Sequence, residues 1–177
     1  VDYWDDLGWP DPYGSSTYTQ RQSHYAQVIG ETMMGTPEFW VHGEKAPLDF
    51  GTVEYMINDW LDTPAHAAVT LTLASEPTAS PLLVDYEVVD APVGSSLYLV
   101  LVERGLTSEV TAGENNGETL EHDAVARGYE PADGDSGQAS ITPPEDLVPE
   151  NASIIGFVQN WSNLCMYGAA RIDLVVE

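Results

Sequence analysis

Cysteine is nearly missing from this 177-residue chain: Cys165 stands alone. One sulfur cannot close a disulfide within the chain, and it cannot run two-cysteine thiol–disulfide exchange. Basic residues are almost as scarce, with five Lys and Arg against 29 Asp and Glu and a formal charge of −24. A polyanion of this kind repels phosphate backbones and anionic lipid surfaces, which excludes nucleic acid as a partner. No run approaches the roughly 20 apolar residues needed to cross a bilayer, so membrane insertion is not expected. No basic-then-apolar leader stands at the start, and a chain that begins at Val1 rather than Met reads as a processed or incomplete product. Phosphate-cradling glycine loops, serine triads and paired-carboxylate motifs are also missing.

What the chain does contain is acid, spread along its whole length. Lys45 is the single lysine, and the carboxylates are scattered rather than gathered into one tail. Such a surface suits high salt or divalent cations; an ordinary acidic secreted protein is the alternative. Hydrophobic residues make up 43% of the chain, enough for a globular fold with one good core or two small ones.

The periodicity changes near Thr63-Pro64. Upstream it is helical, and downstream it is mostly two. Residues 1–14 read as an ordered loop rich in aromatics, Asp, Gly and Pro. A helix is expected from Ser16 to Ile29, with Thr17 and Gln20 as a capping box and Gly30 as its stop. A short strand, Glu38 to His42, turns at Gly43. A second helix, Phe50 to Leu61, places Phe50, Val53, Ile57, Trp60 and Leu61 on one face. After it come strand candidates at Val69–Leu73, Leu82–Val88, Leu97–Val102, Glu109–Ala112, Thr119–Ala126, Ala139–Thr142, Ile154–Gln159 and Ile172–Val176. Leu97–Val102 is apolar on both faces and so is expected in a sheet interior. Glu130–Gly137 reads as an acidic loop. Short strands separated by Gly, Pro and Asn turns argue for an antiparallel β-sandwich over residues 65–177.

Three segments carry a resemblance: VDYWDDLGWPDPYGSSTYTQRQSHYA, GTPEFWVHG and GENNGETLEHDAVAR. Together they resemble the secreted thioredoxin-like family catalogued as domain of unknown function 1223. A related outer-membrane-associated group, named after a 28-kilodalton protein, is similar in its second half. The resemblance implies a thioredoxin-like domain followed by a β-rich one, and so an α+β chain. Residues 1–64 would be the C-terminal part of a thioredoxin-like α/β unit. The family's strand and Cys-x-x-Cys helix have no counterpart in these residues. The central strand of such a sheet is buried on both faces, so the unit is expected to be completed from elsewhere.

Candidate site residues follow from both lines of reasoning. Thr36-Pro37 resembles the cis-proline loop that faces the dithiol in thioredoxins and binds extended peptides; the alternative is a trans proline opening an edge strand. Asp133 and Asp135, within Asp133-Gly134-Asp135-Ser136-Gly137, alternate oxygen ligands as a calcium loop does, or form a solvated turn. Asp2, Asp5, Asp6 and Asp11 form a similar cluster. Cys165 is either an inert buried thiol or a reactive one. His122, with Glu114, Glu121 and Asp123 nearby, reads as structural, as do His24, His42 and His66. No cofactor is expected, with calcium the one ion considered. The two functions carried forward are a non-catalytic extracytoplasmic binding or assembly protein and a thiol–disulfide oxidoreductase whose Cys-x-x-Cys half lies outside this chain. A protein partner or self-assembly is the expected association.

Overall fold

The computed structural model describes residues 11–32, 35, 37–113 and 115–175. Helix α1 (Ser16–Val28) begins where Ser15, in extended backbone, accepts a hydrogen bond from the Thr17 amide. The cap is therefore Ser15 and not Thr17, because a cap needs non-helical backbone and Thr17 is already inside the first turn. Gly30 closes the helix at φ 76°, with the Glu31 amide reaching back to the Ala26 carbonyl.

Strands β1 (Phe39–Val41) and β2 (Glu44–Ala46) pair antiparallel around His42 and Gly43, both at positive φ. This turn lies directly on Leu164. A Cβ at Gly43 would sit 1.9 Å from the Leu164 carbonyl oxygen, so no other residue fits there. Helix α2 (Phe50–Leu61) starts at Asp49, whose carboxylate accepts from the Thr52 amide at 2.9 Å, and it ends before Pro64 as expected.

The rest of the described chain is antiparallel sheet apart from its turns and one 3-10 turn of helix, Pro149–Asn151. Its strands are β3 (Ala68–Leu73), β4 (Leu82–Val89), β5 (Ser95–Glu103), β6 (Leu106–Glu109), β7 (Thr119–His122), β8 (Val125–Ala132), β9 (Ser136–Ile141), β10 (Ala152–Asn160) and β11 (Met166–Asp173). One sheet runs β11–β10–β5–β8, a second β3–β4–β9, and β6–β7 forms a separate hairpin. The fold is α+β. β5 lies inside its sheet, where its apolar sequence placed it, and Leu99 and Leu101 are fully buried. β4 alternates without a break: Leu82, Val84, Tyr86 and Val88 point inward and the residues between them face out. Those four meet Leu97, Leu99, Leu101, Ile154 and Val158 in one hydrophobic core that joins the two larger sheets. Each fully buried leucine or valine there contributes about 1.5–3 kcal/mol relative to exposure.

Four segments differ from the sequence expectation, and each does so because pairing outweighs local propensity. The strand expected at Glu109–Ala112 lies instead at Leu106–Glu109, the stretch that β7 pairs with. The run Thr119–Ala126 breaks at Asp123, since β7 pairs with β6 while β8 pairs with β5. The expected loop Glu130–Gly137 is mostly strand, with only residues 133–135 turning the chain from one sheet to the other. The last strand covers Met166–Asp173 rather than Ile172–Val176, because β10 dictates its register from Gln159 back to Ser153.

Candidate functional site

The β1–β2 hairpin is held between the two helices. Trp40 meets Tyr25 of α1 edge-on, with ring centroids 4.8 Å apart, while Phe39 on the opposite face meets Phe50 of α2 at 5.6 Å. Elsewhere α2 packs only in part. α2 buries no residue, although its apolar positions recur at helical spacing. Its inner flank, Val53, Met56 and Trp60, is half-buried. Phe50, Ile57 and Leu61 form an adjoining stripe and are 80%, 45% and 77% exposed. β1 also has an open edge: among the described residues, Phe39, Trp40 and Val41 make no backbone hydrogen bond outside the hairpin. The opposite edge, β2, carries Glu44 and Lys45, and Lys45 bonds to Glu31 at 2.5 Å and Glu38 at 3.2 Å. Charges of this kind discourage pairing on β2, whereas β1 is apolar and bare.

A cleft of about 310 Å³ separates the end of α2 from β11. His42 and His66 share it, although nothing in their sequence spacing links them. The His42 ring stacks on Trp60 at 3.5 Å, and the His66 ring meets Tyr167 edge-on at 6.3 Å. Burial holds the His42 imidazole below its ordinary range; Glu44 opposes that shift and His66 adds to it.

Arg21 fastens α1 to the larger sheet. Its guanidinium lies 5.0–5.4 Å from the ring centres of Tyr25, Tyr98, Tyr129, Phe157 and Trp161. It donates to the Tyr25 hydroxyl at 2.8 Å, to the Tyr129 hydroxyl at 3.0 Å and to the fully buried Gln159. Burial pushes the Tyr129 phenol up to about 12, against the nearby Arg21 charge. No carboxylate pairs with Arg21 among the described residues; π-faces and neutral oxygens hold it instead. Another cation, Arg127, whose side chain is buried, pairs conventionally with the fully buried Glu103 at 2.7 Å and with Asp146. Sequence reasoning missed both arginines. Their one signal was scarcity, since a chain with so few cations has few to place by chance.

The sequence candidates fall in separate places. Pro37 precedes β1, while Thr36 lies outside the described residues, as do Asp2, Asp5, Asp6 and Glu114. Among the described residues the cis X–Pro bond is Ser80-Pro81, in the turn before β4. Asp133 and Asp135 sit at the corner between β8 and β9. There the Asp133 carbonyl accepts from the Tyr86 hydroxyl and the Asp135 carbonyl from the Val88 amide. No group of three or more His, Cys, Asp or Glu among the described residues is placed to hold a metal ion. Cys165 is exposed in the β10–β11 turn, not buried. His122 bonds the Ser108 hydroxyl at 2.9 Å and meets Tyr13 edge-on. His24 bonds the Trp161 carbonyl at 2.7 Å and stacks on its ring.

Among the described residues, two α-helices, a first hairpin with an exposed apolar flank, and antiparallel sheets of which the two larger share one core define an α+β protein. The chain belongs to the family described as protein of unknown function (DUF1223), whose model matches residues 1–159. Its fold is similar to the crystal structure of protein AGR_C_4864 from Agrobacterium tumefaciens. That match has a TM-score of 0.64 at 20% identity and covers 100% of this chain and 79% of the other. A weaker likeness, TM-score 0.34 at 17% identity, is to a domain of the outer membrane lipoprotein Omp28 from Porphyromonas gingivalis; it covers 63% of this chain and 91% of that one. No curated protein matches. Among the described residues no helix is long and apolar enough to cross a membrane.

Proposed function

We propose that this is a non-catalytic extracytoplasmic binding or assembly protein. In this reading residues 1–64 are the later part of a thioredoxin-like unit and residues 65–177 form a β-sandwich. The working surface is the open edge of β1 beside the stripe on α2, and it takes up an additional strand. Main-chain hydrogen bonds to Trp40, the residue of β1 whose N–H and C=O face away from β2, would hold that strand, and its side chains would cover Phe50, Ile57 and Leu61. The observation that carries the reading is the burial of α2: an amphipathic helix that buries no residue has an unfilled neighbour. The acidic composition supports the location. One cysteine in the chain supports a role without disulfide chemistry of its own.

The same vacancy suits a Cys-x-x-Cys strand–helix–strand, and that is the second reading: a thiol–disulfide oxidoreductase completed from outside these 177 residues. Isolation of the native molecule, with its intact mass and amide exchange measured together, tests both. The first reading expects a partner strand without a dithiol and slow exchange at residues 39–41. A completing segment that carries two cysteines would establish the second. Exchange at 39–41 as fast as in the exposed turns, in a molecule of this chain alone, would remove both.

A further inference from the structure

Glu54 lies in the middle of the exposed stripe. It follows Phe50 by four residues and precedes Ile57 by three, so at 3.6 residues per turn Phe50, Glu54, Ile57 and Leu61 share one line along α2. All four are exposed. A strand that covers the apolar members must also cover the carboxylate, and a buried carboxylate is costly unless a cation meets it.

Among the described residues no cation stands free beside α2 for that task. Lys45 is engaged by Glu31 and Glu38, Arg127 by Glu103 and Asp146, and Arg171 by Asp173. Arg21 is enclosed by aromatic rings. Arg104 lies between β5 and β6, where its amide bonds Asn151, in the sheet region rather than beside α2. Among the described residues no ion pair reaches Glu54. A second copy of the chain is a poor occupant, because it would bring another −24 charges against Asp49, Glu54, Asp59 and Asp62 on and beside the same helix.

We infer that the segment accepted by this surface is an apolar strand with a lysine or arginine opposite Glu54. The inference rests on the strand-addition reading and adds the chemistry of the partner. Apolar side chains on the strand would meet Phe50, Ile57 and Leu61, and the cation would form a charge-assisted bond with Glu54 as water leaves the stripe. Attraction to Glu54 also sets the register of the strand, since a two-residue slip would separate the pair.

The test uses three eight-residue peptides of alternating valine and threonine, identical except for a central Arg, Thr or Glu, added to the whole chain. Affinity and amide exchange at residues 39–41 are measured for the parent, Glu54→Gln, and Glu87→Gln as a control on the exposed face of β4. The expected order is Arg over Thr over Glu, with Arg at least about tenfold tighter than Glu. In Glu54→Gln that preference should shrink to within about twofold, while Glu87→Gln leaves it intact. Equal loss in both variants would show only general attraction to an acidic protein and would overturn the cation claim. Protection of 39–41 by the Arg and Thr peptides with equal affinity would overturn it too, while leaving strand addition standing. Protection by none of the peptides would end the strand-addition reading itself. Reversible dimerisation of the parent in high salt that Ile57→Asp abolishes would assign the surface to a second copy and overturn the inference.

Discussion

Arg21 makes five ring contacts and three hydrogen bonds, more than any other cation described here, and none is to a carboxylate. Because its partners are neutral, salt should screen this joint weakly. Arg21→Ala is expected to cost about 2–4 kcal/mol in urea unfolding, with Arg21→Lys in between, since lysine keeps the charge but loses the planar fork. The Tyr129 phenol shares the cage and is pushed up to about 12, above its ordinary 10.0. A raised folded-state value favours the protonated form, so this contribution is complete below pH 10 and is lost as pH rises toward 12. Alkaline titration of phenolate absorbance should show Tyr129 ionising late, together with unfolding; Arg21→Ala removes a charge that holds the phenol down, so a transition moved to lower pH in that variant would report the weakened fold.

At the scale of elements, the β1–β2 turn and the β10–β11 turn are pressed together. Gly43 at φ 86° leaves no room before the Leu164 carbonyl, and Leu164 is itself buried at φ 65°. Gly43→Ala is expected to separate the hairpin from the sheet region, with a loss of about 2 kcal/mol or more. Amide exchange at residues 39–46 should then accelerate while the β4–β5–β10 core stays protected. A uniform change across the chain would mean that the two turns are not coupled. The contrast with α2 is informative. Its stripe has no such lock, so substitutions at Ile57 or Leu61 are expected to be nearly neutral in the isolated chain and to matter only when the surface is occupied.

For the whole molecule, charge is the dominant variable. With 29 acids against five bases, repulsion opposes the compact state wherever screening is poor. The Debye length falls from about 10 Å at 0.1 M salt to about 3 Å at 1 M, so the melting temperature should rise steadily over that range. Sodium chloride and an equal ionic strength of calcium chloride should act alike if screening is the whole cause. A calcium-specific rise that chelator removes would instead restore a cation role for the Asp133–Asp135 corner.

Much of this molecule is decided by local pattern. The helix Phe50–Leu61, the alternation of β4, the interior place of β5 and the change from helix to strand at Pro64 each follow from a spacing that one short segment carries by itself. So does the scarcity of sulfur and of positive charge, which limits the chemistry available. What depended on tertiary structure were relations between distant segments. Arg21 finds four of its five rings more than seventy residues away, His42 and His66 share a cleft, and residues 130–132 and 136–137 become strand because β5 and β4 offer them partners. The exposure of α2 is of the same kind. Its sequence specifies an apolar face, but whether anything covers that face depends on what the rest of the fold brings beside it.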